Sequence, residues 1–427
     1  MDGSYGKAVM LHPQSFRRTG SQALVREINL ATIMRHLHLH GPVSRASLAE
    51  MTGLNKTTVS SLVQELLEYG LLRETGLSTR GTGRPAVLLE LNPDGGYFIS
   101  AEIGVDFISI ICANFAATIL WRHRENISPR QEQQTILNRL LDLLDEAANL
   151  VRQKKGPLLG VALAAPGLVD RQTGTLLFAP NLKWRDVPLR ELLQTRFDCP
   201  LFVENEANLA ALGEYYFGPE TGSRKLLYIS AGVGLGGGLV QDGQLDRGAS
   251  GFGSEFGHMT MDPEGEPCNC GNRGCWETQV SQSALFRDIR QAISAGQTSI
   301  LTRMTGGNLD RLNVPLVVEA ARAGDPVTLS ALHRVGRYLG IGLASLVNAL
   351  DPDRIVFGGI LSLAADFLLP AMTAEIRQRA LPYLRGSQPA QVAIARYGVD
   401  ACVMGGVAVC HQLIVNQPAI VEAGIGD

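Results

Sequence analysis

Apolar residues recur at helical spacing in three successive stretches near the start of the chain. "REINLATIMRHLHLHG" carries Ile28, Ala31, Ile33, Leu37 and their neighbours on a helical period. "SRASLAEMTGL" follows as a short helix broken at Gly53, and Asn55 is placed to cap a third, "KTTVSSLVQELLEYG", which Gly70 ends. In that third helix Val59, Leu62, Val63, Leu66 and Leu67 fall at i, i+3, i+4, i+7 and i+8, which makes one apolar face. "LLRETG" and "RPAVLLELN" then read as two strands joined through "LSTRGTG".

From about Gly96 the pattern changes to buried strands alternating with helices. "YFISAEIGVDFISIICANF" predicts two buried strands around a turn, "RQEQQTILNRLLDLLDEAANLVRQKKG" an amphipathic helix, and "PLLGVALAAPGLV" a buried strand running into a loop. "ISAEIGV" at 99–105 is echoed by "ISAGVGL" at 229–235, each reading strand, tight turn, strand. Two copies of such a unit point to paired α/β lobes with a cleft between them. The expected organisation is a polar, mobile tail over residues 1–20, a small helical head over 21–92 and a two-lobed α/β body over 93–427.

Composition sharpens the division. At 427 residues the chain is too long for one core, and with 45% hydrophobic and 19% charged residues it can bury several. Residues 1–92 hold 10 Lys/Arg against 7 Asp/Glu, whereas the remainder holds 28 against 34. A basic head on an acidic body is compatible with a nucleic-acid contact confined to the head. No uninterrupted apolar run has the length of a membrane span, and "MDGSYGKAVMLHPQSFRRTGS" has no apolar core of a signal peptide. Seven cysteines, three of them in one loop, argue for reduced thiols and a metal in the cytoplasm.

Helix, short helix, glycine-containing turn and capped helix, with two strands behind, spell a winged helix-turn-helix. Lys56, Thr57, Thr58, Ser60, Ser61 and Gln64 lie on or near the polar side of the third helix, where small donors and one cation suit base edges and phosphates. The tip "TRGTGRP" sets Arg80 and Arg84 on a slim glycine-rich backbone suited to a minor groove. The plainer alternative is a packing module with a solvated polar face.

Three further stretches carry candidate chemistry. In "GHMTMDPEGEPCNCGNRGCWE" (257–277), C-x-C-x4-C with His258 ten residues upstream supplies one imidazole and three thiolates: His258, Cys268, Cys270 and Cys275. That is the donor set of a closed tetrahedral zinc site, structural because no position is left open for water. The run "SAGVGLGGGLV" (230–240) reads equally as an anion-binding turn or a tight inter-strand turn, and it lacks the Lys-Ser/Thr ending of a P-loop. Asn181, Asn205 and Glu206 stand at the ends of apolar runs in "APGLVDRQTGTLLFAPNLKW" and "FVENEANLAALGEYYFG", placed either to hydrogen-bond sugar hydroxyls or, for Asn205 and Glu206, simply to cap a helix.

Taken in order, "PGLVD…PNL.W", "ENEAN.AALGE", "GFGSEFGH" and "C.CGNRGCWE" resemble the ROK family of repressors, open reading frames and kinases, over nearly all of residues 20–427. The head places the chain among that family's transcriptional repressors, most like its xylose-repressor-type members. The resemblance implies an actin-like or ribonuclease-H-like fold for each lobe. It also implies a sugar site of Asn181, Asn205, Glu206, Glu255, His258 and Glu277, and zinc on His258, Cys268, Cys270 and Cys275. His258 would hold zinc by one ring nitrogen and a sugar hydroxyl by the other, the metal fixing its tautomer and direction. Kinases of the family open with Asp-x-Gly-Gly-Thr; here "EIGVDF" (102–107) sets Val105 and Asp106 in place of Gly and Thr, hostile to ATP phosphates. At the catalytic-base position Glu206 replaces Asp, and its extra methylene moves the carboxylate by about 1 Å, a cost on the order of 10²-fold. The expectation is therefore a non-enzymatic, sugar-responsive DNA-binding regulator, a repressor of carbohydrate uptake or catabolism genes, acting as a homodimer or dimer of dimers. A free neutral monosaccharide such as glucose or xylose is favoured, because Glu206, Glu255 and Glu277 would repel a phosphate. The alternatives are an active ATP-dependent sugar kinase carrying a DNA-binding head, and a scaffold that binds another protein.

Overall fold

Three helices and a small sheet come first along the chain, and local signals in the sequence set their ends. The computed structural model describes residues 22–77, 85–154, 156–219, 222–381 and 390–421; the expected tail over 1–20 and the tip residues Arg80 and Arg84 lie outside them. Helix α1 (Gln22–His40) is followed by β1 (Val43–Ser44), α2 (Arg45–Thr52) and α3 (Lys56–Glu68). The Ser44 hydroxyl accepts from Ser47 N at 3.1 Å and Asn55 Oδ1 from Thr58 N at 2.8 Å, so both α2 and α3 begin on side-chain caps. Gly53 (φ +70°) and Gly70 (φ +71°) take the left-handed conformation that turns the chain out of each helix. Strands β2 (Leu72–Leu77) and β3 (Val87–Leu91) pair antiparallel as expected, and β1, whose Ser44 reads as helix from sequence, completes the order β1-β3-β2.

On α3 the expected apolar face is buried at Val59, Leu62, Val63 and Leu66, while Leu67 is only half-buried. Glu65 takes part of the inner face instead. Its carboxylate pairs with Arg26 at 2.7 Å and accepts from the Tyr69 hydroxyl at 2.8 Å, which offsets the cost of burying a charge.

The body is built on two five-stranded sheets of like construction. The first has the order β11-β7-β4-β5-β6, from β4 (Tyr97–Ile103), β5 (Phe107–Asn114), β6 (Ile119–Asn126), β7 (Leu158–Ala165) and β11 (Leu201–Asn205). The second has the order β14-β13-β12-β15-β16, from β12 (Lys225–Ala231), β13 (Leu235–Gln241), β14 (Gln244–Leu245), β15 (Arg354–Gly358) and β16 (Gln391–Ile394). In each, an antiparallel hairpin (β4–β5, β12–β13) is joined by a parallel neighbour (β7, β15), so the echoed sequence segments are the same structural unit twice. A minor sheet of β8 (Leu168–Asp170), β9 (Thr175–Ala179) and β10 (Trp184–Val187) leads into the short α5 (Leu189–Gln194).

Alternate residues of the central strands face opposite layers, as the pleat requires. Ile99, Ala101, Val161 and Leu163 pack on α4 (Gln133–Lys154), whereas Phe98, Leu159 and Ala162 pack on the last helix of the body, Ala401–Asn416. In the second sheet Leu226 and Tyr228 face α6 (Glu206–Phe217). Leu227, Ile229, Ile355 and Phe357 face the opposite layer. Among the helices there, in chain order, are α7 (Glu277–Val280), α8 (Gln282–Ser294), α9 (Ile300–Met304), α10 (Val314–Arg322), α11 (Pro326–Leu350) and α12 (Ala365–Arg379). The last helix, α13, therefore backs onto the first sheet and α6 onto the second, and these two helices pack against each other. At two glycines the contact is backbone to backbone: a Cβ on Gly405 would lie 1.7 Å from Leu209 O, and one on Gly213 2.6 Å from Gly405 N. The stretch Gly398–Asn416 is long and apolar enough to cross a membrane, a feature overlooked by counting uninterrupted runs, but it is 67% buried as this central helix.

The head is not tethered loosely to the body. Leu30, Met34, Leu37 and Leu89 belong to the same apolar cluster as Phe98, Phe115, Val407 and Ile414. At its edge the His38 ring stacks on Tyr216 at 4.3 Å, and the Tyr216 hydroxyl lies 3.0 Å from His411 Nδ1. Burial holds the His411 pKa well below the usual value, with the charge of His38 adding to the effect, and burial also lowers that of His38. The folded state thus favours both rings neutral, while the unfolded chain binds protons near pH 6.5. Their contribution is complete above that pH and is lost as pH falls from there towards the depressed values, with a slope of up to about 1.4 kcal/mol per pH unit for each ring. Tm is accordingly expected to fall between pH 7.5 and 5.5, with a shallower slope in a His411→Phe variant.

Candidate functional site

The loop after β14 folds back on itself to bring four sulfur and nitrogen donors together. Thr260 bridges Cys275 and Pro267 bridges Arg273, both antiparallel, while Gly271 N donates to Cys268 O at 3.0 Å to close the turn between them. Gly274 is required outright, since φ is +61° and a Cβ there would sit 1.5 Å from Asp262 O. The ligand atoms of His258, Cys268, Cys270 and Cys275 lie within 4.8 Å of one another. His258 Nδ1 is 3.7 Å from Cys268 Sγ, and Cys270 Sγ is 3.7 Å from Cys275 Sγ. Bonds of about 2.0–2.3 Å in a tetrahedron give edges of about 3.6–3.8 Å, so both the donor set and its spacing fit a four-coordinate metal ion. His258 would serve it through Nδ1, leaving Nε2 on the side of Glu255, 4.0 Å from Oε2.

The same loop positions its neighbours. Glu277, 8% exposed at the start of α7, accepts from Leu235 N at 3.3 Å and lies 3.0 Å from Cys268 Sγ. Asn269, inside the C-x-C, donates to Asn181 Oδ1 at 2.8 Å and so fixes a residue of the turn between β9 and β10. Sequence reading missed Asn269, because its partner is 88 positions away. The glycine run divides into two roles. Gly232 to Gly234 make the β12–β13 turn, and a Cβ on Gly234 would meet Glu277 Oε2 at 2.8 Å and Asn181 Nδ2 at 3.1 Å. Gly236 and Gly238 instead lie within β13 and admit α6, where a Cβ would stand 2.9 Å from Ala207 Cβ and 2.7 Å from Ala211 Cβ.

Asn205 is the N-cap of α6: its Oδ1 accepts from Ala207 N at 2.8 Å and Asn208 N at 3.2 Å, and its Nδ2 donates to Gly167 O at 3.0 Å. One amide hydrogen remains for anything else. Glu206, the first residue of α6, is in a different state. Its Oε2 is buried and has no hydrogen-bond partner among the described residues. Burial raises its pKa well above the carboxylate range, and the charges of Glu255, Glu102 and Glu277 raise it further. Glu255 is raised too, by burial first, with His258 pulling the other way. The structure thus converges Glu206, Glu255, His258, Glu277 and Asn181 on one region between the lobes. Across its edge Arg247, beyond β14, grips Glu204 of β11 with Nε and Nη2 both at 2.7 Å, an inter-lobe ion pair also absent from the sequence reading.

On the head, Lys56, Thr57, Ser60, Ser61 and Gln64 are exposed on α3, and Thr58 is half-buried with its amide held by the Asn55 cap. Gln64 donates to Glu68 at 3.1 Å along the same helix.

The chain matches the ROK family model over residues 98–413. It belongs to the ROK family. This ROK chain is 33% identical over 399 residues to the xylose repressor of Caldicellulosiruptor bescii, covering 93% of this chain and 99% of that one. Its fold matches a crystal structure described as a ROK family transcriptional regulator, homolog of the E. coli MLC protein, with a TM-score of 0.78 and 28% identity over 94% of this chain and all of that one. It also matches a ROK family glucokinase from Streptomyces griseus in complex with glucose and AMPPNP, with a TM-score of 0.67 and 32% identity, covering 74% of this chain and all of the kinase. At the first hairpin turn of this ROK body, Glu102 is buried and pushed up to about 7 by desolvation, against the pull of Arg124, while Val105 and Asp106 are half-buried.

Proposed function

We propose that this ROK protein is a sugar-responsive DNA-binding regulator, a repressor of genes for carbohydrate uptake or catabolism. Residues 21–92 serve as a winged helix-turn-helix head and 93–427 as the effector-binding body. The observation that carries the reading is the buried Oε2 of Glu206, without a partner among the described residues and within electrostatic reach of Glu255 and Glu277, with His258 4.0 Å from Glu255. A buried polar atom without a partner costs about 1–3 kcal/mol, which a sugar hydroxyl placed there would recover. Asn181, Asn205, Glu206, Glu255, His258 and Glu277 take the hydroxyls of a free neutral monosaccharide, glucose or xylose. Zinc on His258, Cys268, Cys270 and Cys275 is structural and holds the imidazole in register. Thiolate ligands suit the reducing cytoplasm.

The head reads DNA through Lys56, Thr57, Thr58, Ser60, Ser61 and Gln64 of α3, with Arg80 and Arg84 on the wing. Paired heads in a homodimer or dimer of dimers meet two half-sites, and the sugar changes operator affinity by favouring one lobe arrangement. A sugar kinase is the second reading, favoured by the likeness to the glucokinase. Against it stand Glu206 for Asp, and Val105 and Asp106 at the phosphate turn.

The test is a thermal-shift screen of monosaccharides, then operator binding on the protein's own upstream DNA with each hit. Stabilisation by D-xylose or D-glucose with a changed operator Kd supports the regulator. Sugar-dependent ADP release from ATP and magnesium, abolished in Glu206→Gln, would replace it with the kinase. A Lys56→Ala variant is expected to weaken binding to specific and random DNA alike, and to lower the slope of log Kd against log salt by about 1.

A further inference from the structure

Helix α6 touches both ends of the proposed regulatory circuit. Its first residue is Glu206, whose Oε2 is buried and unpartnered at the sugar region, and its last turn carries Tyr216 and Phe217 at the head. Twelve residues of α-helix span about 18 Å and move lengthwise as a rod, because each turn is tied to the next by its hydrogen bonds. At the far end the His38 ring of α1 stacks on Tyr216 at 4.3 Å with planes 17° apart and meets Phe217 edge-on at 6.0 Å.

The two body lobes hold the head differently. The first lobe shares an apolar core with it, through Phe98, Phe115 and α13. The second lobe reaches it through α6, which packs on β12 and β13. Tyr216 also lies 3.0 Å from His411 Nδ1 of α13, so the junction straddles the boundary between lobes. Beside the stack is a cavity of about 570 Å³ lined in part by Leu37, His38, Arg73, Tyr216, Phe217 and His411. The last turn of α6 therefore has room to shift without overpacking its surroundings. Where α6 crosses α13, Gly213 and Gly405 bring the two backbones together with no side chain of their own between them.

We propose that α6 is the mechanical link between sugar and DNA: an effector drawn onto Glu206 shifts the helix along α13, and Tyr216 and Phe217 pass the shift to α1 through His38. This rests on the regulator reading above and adds its route. His38 and Tyr216 are positioning residues that touch neither ligand, so their loss cuts the communication and leaves each binding event in place.

The test measures operator Kd with and without saturating D-xylose and D-glucose, and sugar Kd with and without operator, on the full-length chain. Linkage makes the two ratios equal in the wild type, within the usual range of about 5–150-fold. In His38→Ala the ratios are expected to collapse to below about 2-fold, while Kd for sugar without DNA stays within about 3-fold of wild type. If His38→Ala loses operator binding even without sugar, Tyr216→Leu cuts the same contact from the body side and carries the same expectation. Tyr216→Phe keeps the ring stack and is expected to retain most of the coupling. Wild-type coupling preserved in both His38→Ala and Tyr216→Leu overturns the link while leaving the regulator standing. A wild type whose operator affinity ignores both sugars removes the regulator and the link together.

Discussion

On the proposed function, a Cys275→Ser protein is expected to purify without the stoichiometric metal of the wild type and to lose the thermal stabilisation expected from a bound monosaccharide. Cys275 is fully buried and is followed by Trp276, also fully buried, whose indole N–H donates to Tyr338 O at 2.9 Å on α11. Glu277 comes next. Loosening the loop therefore disturbs at once an anchor in the core and a carboxylate of the proposed effector site. Structural zinc contributes about 10–16 kcal/mol in finger peptides that fold only with metal, but here only one loop depends on it. A fall in Tm on the order of 5–10 °C is the expected scale. Elemental analysis and a sugar-titrated melting curve check this; full metal content with an undiminished sugar shift would sink it.

The second large effect is at the crossing of α6 and α13. In a Gly405→Ala variant the new methyl would sit 1.7 Å from Leu209 O and 2.2 Å from Leu209 C. Neither atom belongs to a side chain that can swing aside, so the helices must separate. Overpacking usually costs about 1–3 kcal/mol, and a clash against backbone belongs at or above the upper end. Gly232→Ala is the matched control, because its Cβ would meet only Ile360 Cγ2 at 3.9 Å. Denaturant titration of both should show a large loss for Gly405→Ala and a change within about 0.5 kcal/mol for Gly232→Ala. Equal stability in the two variants would mean that the crossing is looser than its geometry implies.

How much of this could be read in advance depended on sequence distance. The caps at Ser44 and Asn55, the glycine exits at Gly53 and Gly70, and the twin hairpins are set by neighbours a few residues apart, and they stand out in the one-dimensional pattern. The His/Cys cluster was legible for the same reason, since its donors fall within one loop. What escaped were pairings made only by the fold. Asn269 with Asn181 and Arg247 with Glu204 are separated by 88 and 43 positions. Glu65 looks like a solvated charge until Arg26 and Tyr69 are brought to it. The glycines of β13 read as a turn because composition registers the absence of side chains but not the helix that needs the space. Of the two readings open for Asn205, the structure bears out the helix cap, with Oδ1 accepting from Ala207 N and Nδ2 donating to Gly167 O.

The core that runs unbroken from Leu30 and Met34 to Phe98 and Val407 also bears on ancestry. Recombination at the end of β3 would splice two half-cores, each shaped for a partner it no longer meets. With α3 as the proposed reader of DNA, new operator preferences would therefore accumulate by point changes on its outer side, inherited alongside an α1 surface that keeps pace with the body beneath it.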